Sequence, residues 1–384
     1  MSELPVPFFT QSATFSQLWP ITRQHIVDVV RNGKFSHGHK VAELERALAD
    51  YTGARHVVGV NSGTDALVLL LRAAGLRPGD EVVVPAFSFI ATASSVVLAG
   101  GRPVFADIEP TGYGISPGSV AAVAGPRTRF VMPAHLFWHT ADMTALHAVA
   151  RDRGLTVVED SAESIGVHHD GVHAGRLGVG GVLSFFPTKT LGALGDAGAV
   201  LTDDPDIAEA VGALRHHGRF GRTLDHFPGI ATATGAPGVN SKMDDIQAAV
   251  LLAKLGRLDE DIDRRAALAA RYTERLAGVP GVRRLPSVRP GVRGVFYVYV
   301  IEVERRDELV AHLAARGIGT ETYYPTPLHL QPCFAGHGHR SGDFPNAEAA
   351  CRRTVALPLY PDLPEAGVDA VCAAVEGFYA GRAA

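Results

Sequence analysis

Two valine-rich runs, EVVVP at 81–85 and LTVVED at 155–160, carry no polar alternation. A strand with water on one face alternates apolar and polar residues, so these runs suit central strands covered on both faces of a mostly parallel sheet. They belong to a longer rhythm, HVVGV, DALVLLLRAAGL, EVVVP, FIATASSVVLAG, RPVFA, RTRFVMPAH, ADMTALHAVARDRG and LTVVED, in which short apolar stretches alternate with helical ones. The expected fold is α/β, and ligands then belong at the carboxyl ends of the strands. Ahead of this rhythm, HKVAELERALADY places Val41, Leu44, Leu48 and Tyr51 on one face and predicts an amphipathic helix.

From Gly178 to Asp203 the pattern is strand-like, with GVLSFF and GAVLT flanking a Gly-rich connection, and the helical DIAEAVGALRHHG follows. GRTLDHFPGIATATGAPG reads as a long loop. A continuous helical stretch is expected from about Lys242 to Leu276, and FYVYVIEV, RDELVAHLAARGI and VDAVCAAVEGFY then suggest a small α+β unit. At 384 residues two domains are expected. We divide the chain into 1–250, a large domain carrying an N-terminal arm and helix, and 251–384, a small C-terminal domain.

Hydrophobic residues at 46% and charged residues at 20% fit a globular protein with a large core, and a net charge of -4 gives no general attraction for nucleic acid or anionic membrane. The opening MSELPVPFFT lacks the pattern of a secretory signal and no run is long enough to span a bilayer, so a cytoplasmic location is expected. Cys333, Cys351 and Cys372 lack metal-ligand spacing and read as reduced thiols. His168-His169, His216-His217 and His337-Gly-His339 lack an organised carboxylate or cysteine set, so we expect solvated loop histidines and no metal.

Three features carry chemistry. Asn61-Ser62-Gly63-Thr64-Asp65 follows a strand and opens an apolar helix, where backbone N–H groups and small hydroxyls can bind phosphate; helix capping alone is the plainer reading. Asp160 ends an apparent buried strand, where a carboxylate is costly unless a cation such as a protonated pyridine nitrogen stabilises it. Lys189 follows another apolar strand, four residues after Phe185 and five after Ser184. Desolvation beside a cationic ring is expected to lower its pKa toward that of a reactive amine. Phosphate-type helix start, strand-end Asp and post-strand Lys are, together, the parts of a pyridoxal phosphate site.

With these parts in order, the chain resembles the DegT/DnrJ/EryC1/StrS family of sugar aminotransferases, of the aspartate-aminotransferase fold (fold type I pyridoxal phosphate enzymes), with a large, mostly parallel sheet of the seven-stranded type and a small α+β domain. The matching stretches run from GHKVAELERALADYTG through NSGTDAL, VVVPAFSFIATA, VVEDSAESIG, SFFPTKTLGALGDAGAV, GVNSKMDDIQAA and YYPTPLHLQP to LPLYPDLP. The resemblance implies that Lys189 holds the cofactor as a Schiff base and shuttles the substrate proton, and that Asp160 keeps the pyridine nitrogen protonated. It further implies that Gly63, Thr64 and Ser184 hold the phosphate and that Phe89 stacks on the ring. Asn240 would reach the phosphate of a neighbouring subunit, implying a homodimer with shared sites, and Tyr324 and His329 would sit near substrate.

Four positions depart from the family pattern. Glu163 stands where Gln is common, near the cofactor's phenolic oxygen, so its carboxylate must be protonated or paired. Trp138 and His139 replace a Gly-Gln pair, and Lys242 replaces Arg. The implied reaction moves an amino group from L-glutamate or glutamine, by way of the pyridoxamine form of the cofactor, to a nucleotide-diphosphate-linked 3-keto or 4-keto deoxysugar. A dehydratase of the same fold that uses pyridoxamine phosphate is the alternative, but it has histidine where Lys189 stands. A non-catalytic cofactor-binding regulator would be expected to lose Lys189 or Asp160, and no GxGxxG follows the first strand to support a nicotinamide enzyme.

Overall fold

A computed structural model describes residues 5–36, 38–219 and 234–381. In chain order the elements begin with α1 (Ser12–Asn32), α2 (His39–Thr52), β1 (His56–Val60), α3 (Gly63–Ala73), β2 (Glu81–Pro85), α4 (Ile90–Leu98), β3 (Arg102–Ala106), α5 (Pro117–Val123), β4 (Thr128–Val131), α6 (Met143–Arg153) and β5 (Thr156–Glu159). They continue with the short pair β6 (His168–His169) and β7 (Val172–His173), then β8 (Gly180–Ser184), β9 (Gly198–Thr202), α7 (Pro205–Leu214), α8 (Asp245–Leu255) and α9 (Leu258–Leu276). The last part holds β10 (Val282–Arg284), β11 (Val292–Arg293), β12 (Tyr299–Val303), α10 (Arg306–Ala314), α11 (Pro345–Arg353), β13 (Thr354–Leu357) and α12 (Glu365–Ala380).

The large sheet has seven strands in the order β1-β9-β8-β5-β4-β2-β3. Pairing is parallel from β8 through β5, β4 and β2 to β3, while β9 runs antiparallel to both of its neighbours. Every residue of β2 is buried, which is what its unalternating EVVVP requires. The α/β expectation and the seven-stranded, mostly parallel sheet are thus observed. A second sheet, β10-β12-β13, is antiparallel. Tyr299, Ile301 and Val303 of β12 pack with Leu268, Tyr272 and Leu276 of α9 and Val371 and Val375 of α12, whereas Val300 packs into the core of the large sheet. The period of two therefore buries β12 on both faces.

Two helices differ from expectation. The stretch from Lys242 to Leu276 divides into α8 and α9 at Gly256–Arg257, where the Arg257 N–H bonds the Lys254 carbonyl in a tightened last turn at 3.0 Å. Glycine at the junction lowers helix propensity where α8 ends. The helix α1 has no counterpart in the sequence reading, because Pro20 lies within it and its large apolar residues Trp19, Ile21, Val27 and Val30 are exposed rather than facing the core. Most of GRTLDHFPGIATATGAPG lies outside the described residues. His169 is buried between the hydroxyls of Thr140 and Thr144, at 3.0 and 3.2 Å, rather than solvated: Thr140 supplies a polar partner inside the fold. Among the described residues no metal-binding cluster occurs, no helix is long and apolar enough to cross a membrane, and all three cysteines are free.

Candidate active site

The carboxyl ends of β1, β2, β5 and β8 lead into one region. After β1, Ser62 caps α3 by accepting a hydrogen bond from the Asp65 N–H at 3.1 Å, and Gly63 and Thr64 open the helix with their own N–H groups directed to its start, where an anion can bind. Gly63 lies hard against Ser184 at the end of β8, since a Cβ on Gly63 would fall 2.8 Å from that of Ser184. The approach is possible because β9, between β1 and β8, begins with Gly198, where a Cβ would fall 2.5 Å from the carbonyl carbon of Ser62. Two glycines thus bring a helix start and a serine hydroxyl into one cradle. Alongside, Ser241 bonds Asn61, and the exposed Asn240 accepts a hydrogen bond from Lys242. Burial, then the charges of Arg219 and Arg215, pull the Lys242 amine below its ordinary pKa.

Asp160 follows β5, and its backbone bonds Pro133 and His135 beyond the end of β4. Its Oδ2 accepts from the Thr92 hydroxyl at 2.6 Å, and Oδ1 accepts a long 3.4 Å bond from the Ala162 N–H. With the Thr92 proton committed to Asp160, Ser88 is the donor in the 2.7 Å contact between the two hydroxyls. Burial raises the Asp160 pKa, against the opposing pull of Thr92, Ala162 and Lys189. Phe89, the residue before α4, exposes 56% of its surface although it sits in the site region 6.4 Å from the Tyr324 ring.

Lys189 stands in the turn after β8, with its Nζ 3.0 Å from Glu163 Oε1 and 4.4 Å above the Tyr297 ring. Glu163 Oε1 also accepts from the Tyr324 hydroxyl at 3.2 Å, and Oε2 from the Phe137 N–H at 2.9 Å. The Glu163 carboxylate is paired, one of the two conditions its position demanded. The lowered Lys189 pKa is expected beside a cationic ring; in the protein alone burial pulls it down, but Glu163, Tyr297 and Asp160 outweigh burial and raise it. The Tyr324 ring stacks on Phe137 at 6.0 Å, and Tyr324, Phe137 and Tyr113, three aromatic residues of one cluster, all have positive φ. Such backbone conformations cost on the order of 1–3 kcal/mol each and persist where surrounding packing enforces them.

The remaining residues have partners of their own. His329 is buried beside Glu348, 3.3 Å away, and against the edge of Phe344. Trp138 donates to the Ser287 carbonyl at 2.9 Å and stacks on Phe296, while His139 bonds the Gly112 carbonyl at 2.9 Å. Burial holds the His139 pKa near 4. Trp138 thus lies beside Phe137, with ring centroids 6.0 Å apart, and His139 stacks on Trp138 at 5.5 Å. Thr92, Ser88 and Tyr297 were missed in the sequence. Thr92 was within reach, being one helical turn after Phe89 in AFSFIATA, whereas Tyr297 in FYVYV gives no local signal.

An anion cradle, an exposed aromatic ring, a buried carboxylate short of donors and an enclosed lysine fit pyridoxal 5′-phosphate part by part. Residues 21–376 match the model of the DegT/DnrJ/EryC1/StrS aminotransferase family. The chain belongs to this family. It is a family of pyridoxal-phosphate-dependent sugar aminotransferases, and this protein is one of its enzymes. Over 375 residues the chain is 40% identical to the pleiotropic regulatory protein of Geobacillus stearothermophilus, covering 97% of this chain and 98% of that one. It is also 40% identical over 358 residues to the dTDP-3-amino-3,4,6-trideoxy-alpha-D-glucose transaminase of Streptomyces venezuelae, covering 93% and 92% of the two chains. The crystal structure of DesV from S. venezuelae in complex with a ketimine intermediate superposes with a TM-score of 0.92 at 39% identity, covering 98% of each chain. The aminotransferase, its cofactor and its fold, all implied by the resemblance, are thereby established.

Proposed function

We propose that this enzyme transfers an amino group from L-glutamate or glutamine to the ketone of a nucleotide-diphosphate-linked 3-keto or 4-keto deoxysugar, in amino-sugar biosynthesis. The observation that carries the reading is the convergence of Lys189, Asp160, Phe89 and the Gly63–Ser184 cradle at the carboxyl edge of one sheet. The S. venezuelae transaminase, named for a dTDP-linked amino deoxysugar, supports the substrate class.

In this reading Gly63, Thr64 and Ser184 bind the phosphate, Phe89 covers one face of the ring, Asp160 accepts the pyridinium N–H, and Glu163 lies toward the phenolic oxygen. The bound cofactor supplies an electron-accepting cationic ring for the carbon that gains or loses a proton. Lys189 moves that proton, which requires its ammonium to give one up first; Glu163, 3.0 Å away, is the adjacent acceptor. Tyr324 and His329 are assigned to the substrate side, and Asn240 to the phosphate of a second subunit. The exposed Trp19, Ile21, Val27 and Val30 of α1, with Phe186 and Leu194 on either side of Lys189, support a homodimer whose interface borders the site.

The test is incubation with L-glutamate and a panel of nucleotide-linked keto-deoxysugars, followed by mass spectrometry. An aminated nucleotide sugar formed with equimolar 2-oxoglutarate is expected. Oxoglutarate release without any aminated member of the panel would overturn the substrate class while leaving the aminotransferase intact.

A further inference from the structure

Lys254, near the end of α8, is a buried amine outside the chemistry above. Its side chain is nearly free of solvent contact, its hydrogen-bond acceptors are both neutral, and a phenyl ring, Phe15, lies 5.3 Å away. A buried ammonium is expensive without a carboxylate against it, and a hydrocarbon of equal length would be cheaper for stability alone. Burial and the Arg265 charge pull Lys254 down to about 8, with Asp261 opposing and Arg257 adding to the fall.

What the amine holds is specific. Lys254 Nζ donates to the Gly192 carbonyl at 2.7 Å and to Gln11 Oε1 at 2.8 Å. The Gln11 amide in turn donates to the Pro187 carbonyl. Gln247, two turns earlier on α8, accepts from the Leu194 N–H at 2.9 Å. The turn that carries Lys189 is therefore gripped at its start, Pro187, and at its end, Gly192 and Leu194, with the lysine between. The arm bearing Gln11 is anchored elsewhere too: the Val6 N–H bonds the Gly317 carbonyl at 3.0 Å, and the Gly319 N–H bonds the Val6 carbonyl at 2.8 Å. Seven residues past Gly317 stands Tyr324, which donates to the same Glu163 oxygen as Lys189.

We propose that Gln11 and Lys254 are positioning residues that clamp the Lys189 turn, and that the N-terminal arm fixes this turn relative to the 317–324 segment bearing Tyr324. Neither residue touches the reacting atoms; each acts through Lys189. The proposal rests on the reading of Lys189 as the cofactor lysine.

The experiment compares full-length, pyridoxal-phosphate-loaded wild type with Lys254→Met, Gln11→Ala, the double variant and Lys189→Ala. It reads the pH midpoint of the cofactor's visible band, kcat and KM for the amino donor, and amide exchange of residues 186–194. Lys254→Met and Gln11→Ala are each expected to lower kcat about tenfold with KM within about twofold, because a small misplacement of a reacting group is felt in the transition state. The band midpoint should shift and exchange in 186–194 should quicken, and the double variant should be no worse than Lys254→Met, since both break one device. If Lys254→Met does not fold, Gln11→Ala alone decides, because Gln11 lies on the arm at the edge of the core. A band that survives Lys189→Ala overturns the lysine reading and the clamp with it. A band lost in Lys189→Ala but unmoved in the other variants, with kcat unchanged, overturns the clamp alone, as do losses that multiply in the double variant.

Discussion

Glu159 and Asp160 leave the end of β5 in opposite directions, and their surroundings treat the two carboxylates differently. Glu159 accepts four hydrogen bonds at 2.6–2.9 Å, from the backbone N–H groups of Gly175, Leu177 and Gly178 and from His135 Nε2. His135 carries its proton on Nε2, because its Nδ1 accepts from the Ala141 N–H at 3.2 Å. Asp160 has one short bond from Thr92 and one long bond from Ala162. A saturated buried carboxylate is a finished structural joint; one left short of donors, with its pKa raised by burial, keeps acceptor capacity that a cationic partner would use. The same strand end thus carries a bracket on one side and an open acceptor on the other.

The largest expected effect breaks the open side. Asp160→Asn should lower turnover about 10³-fold, or about 4 kcal/mol at 1.36 kcal/mol per tenfold, because an amide cannot hold a pyridinium proton. Single-turnover kinetics with L-glutamate reads this, and turnover within about tenfold of wild type would erase the distinction between the two carboxylates. Breaking the bracket should act on the fold instead. Glu159→Gln presents an NH₂ to backbone donors and should destabilise by about 2–3 kcal/mol in urea unfolding, while turnover per folded molecule changes little.

A third substitution sharpens the contrast beside Lys189. Glu163→Gln keeps an acceptor but removes the charge that helps raise the Lys189 pKa, so burial then acts on the amine with less opposition. The pH dependence of cofactor loading should move to lower pH, and turnover should fall about tenfold, consistent with removing one adjacent proton acceptor. The smallest effect is in the cofactor-free protein. A folded-state Asp160 pKa above the unfolded value means the folded state binds more protons over that interval. The stability contributed by Asp160 is therefore fully present below the ordinary aspartate pKa of about 3.9 and is lost as pH rises through the raised value. Thermal unfolding against pH should therefore show the wild type losing stability relative to Asp160→Asn as pH rises across that interval.

Most of the candidate site's geometry was legible because its parts stand at strand ends, where local sequence announces them. The valine runs located β2 and β5, the small residues after HVVGV located the helix start, and Asp160 and Lys189 followed from their strands. What stayed hidden depends on side chains meeting over long separations. Gln11 reaches Pro187 and Lys254 across 176 and 243 residues, and Tyr297 underlies Lys189 from the bend just before β12. The direction of the Lys189 pKa was also hidden, because Glu163 and Lys189 are brought together only by the fold. The break between α8 and α9 rested on one glycine that the continuous helical pattern outweighed.

The most direct test of the central claim is the absorption spectrum of the purified, pyridoxal-phosphate-loaded protein before and after addition of L-glutamate, beside Lys189→Ala and Asp160→Asn. The account predicts a visible band in wild type that gives way to the pyridoxamine form, no such band in Lys189→Ala, and a band that converts slowly in Asp160→Asn. A visible band in Lys189→Ala, or conversion at wild-type rate in Asp160→Asn, would contradict it.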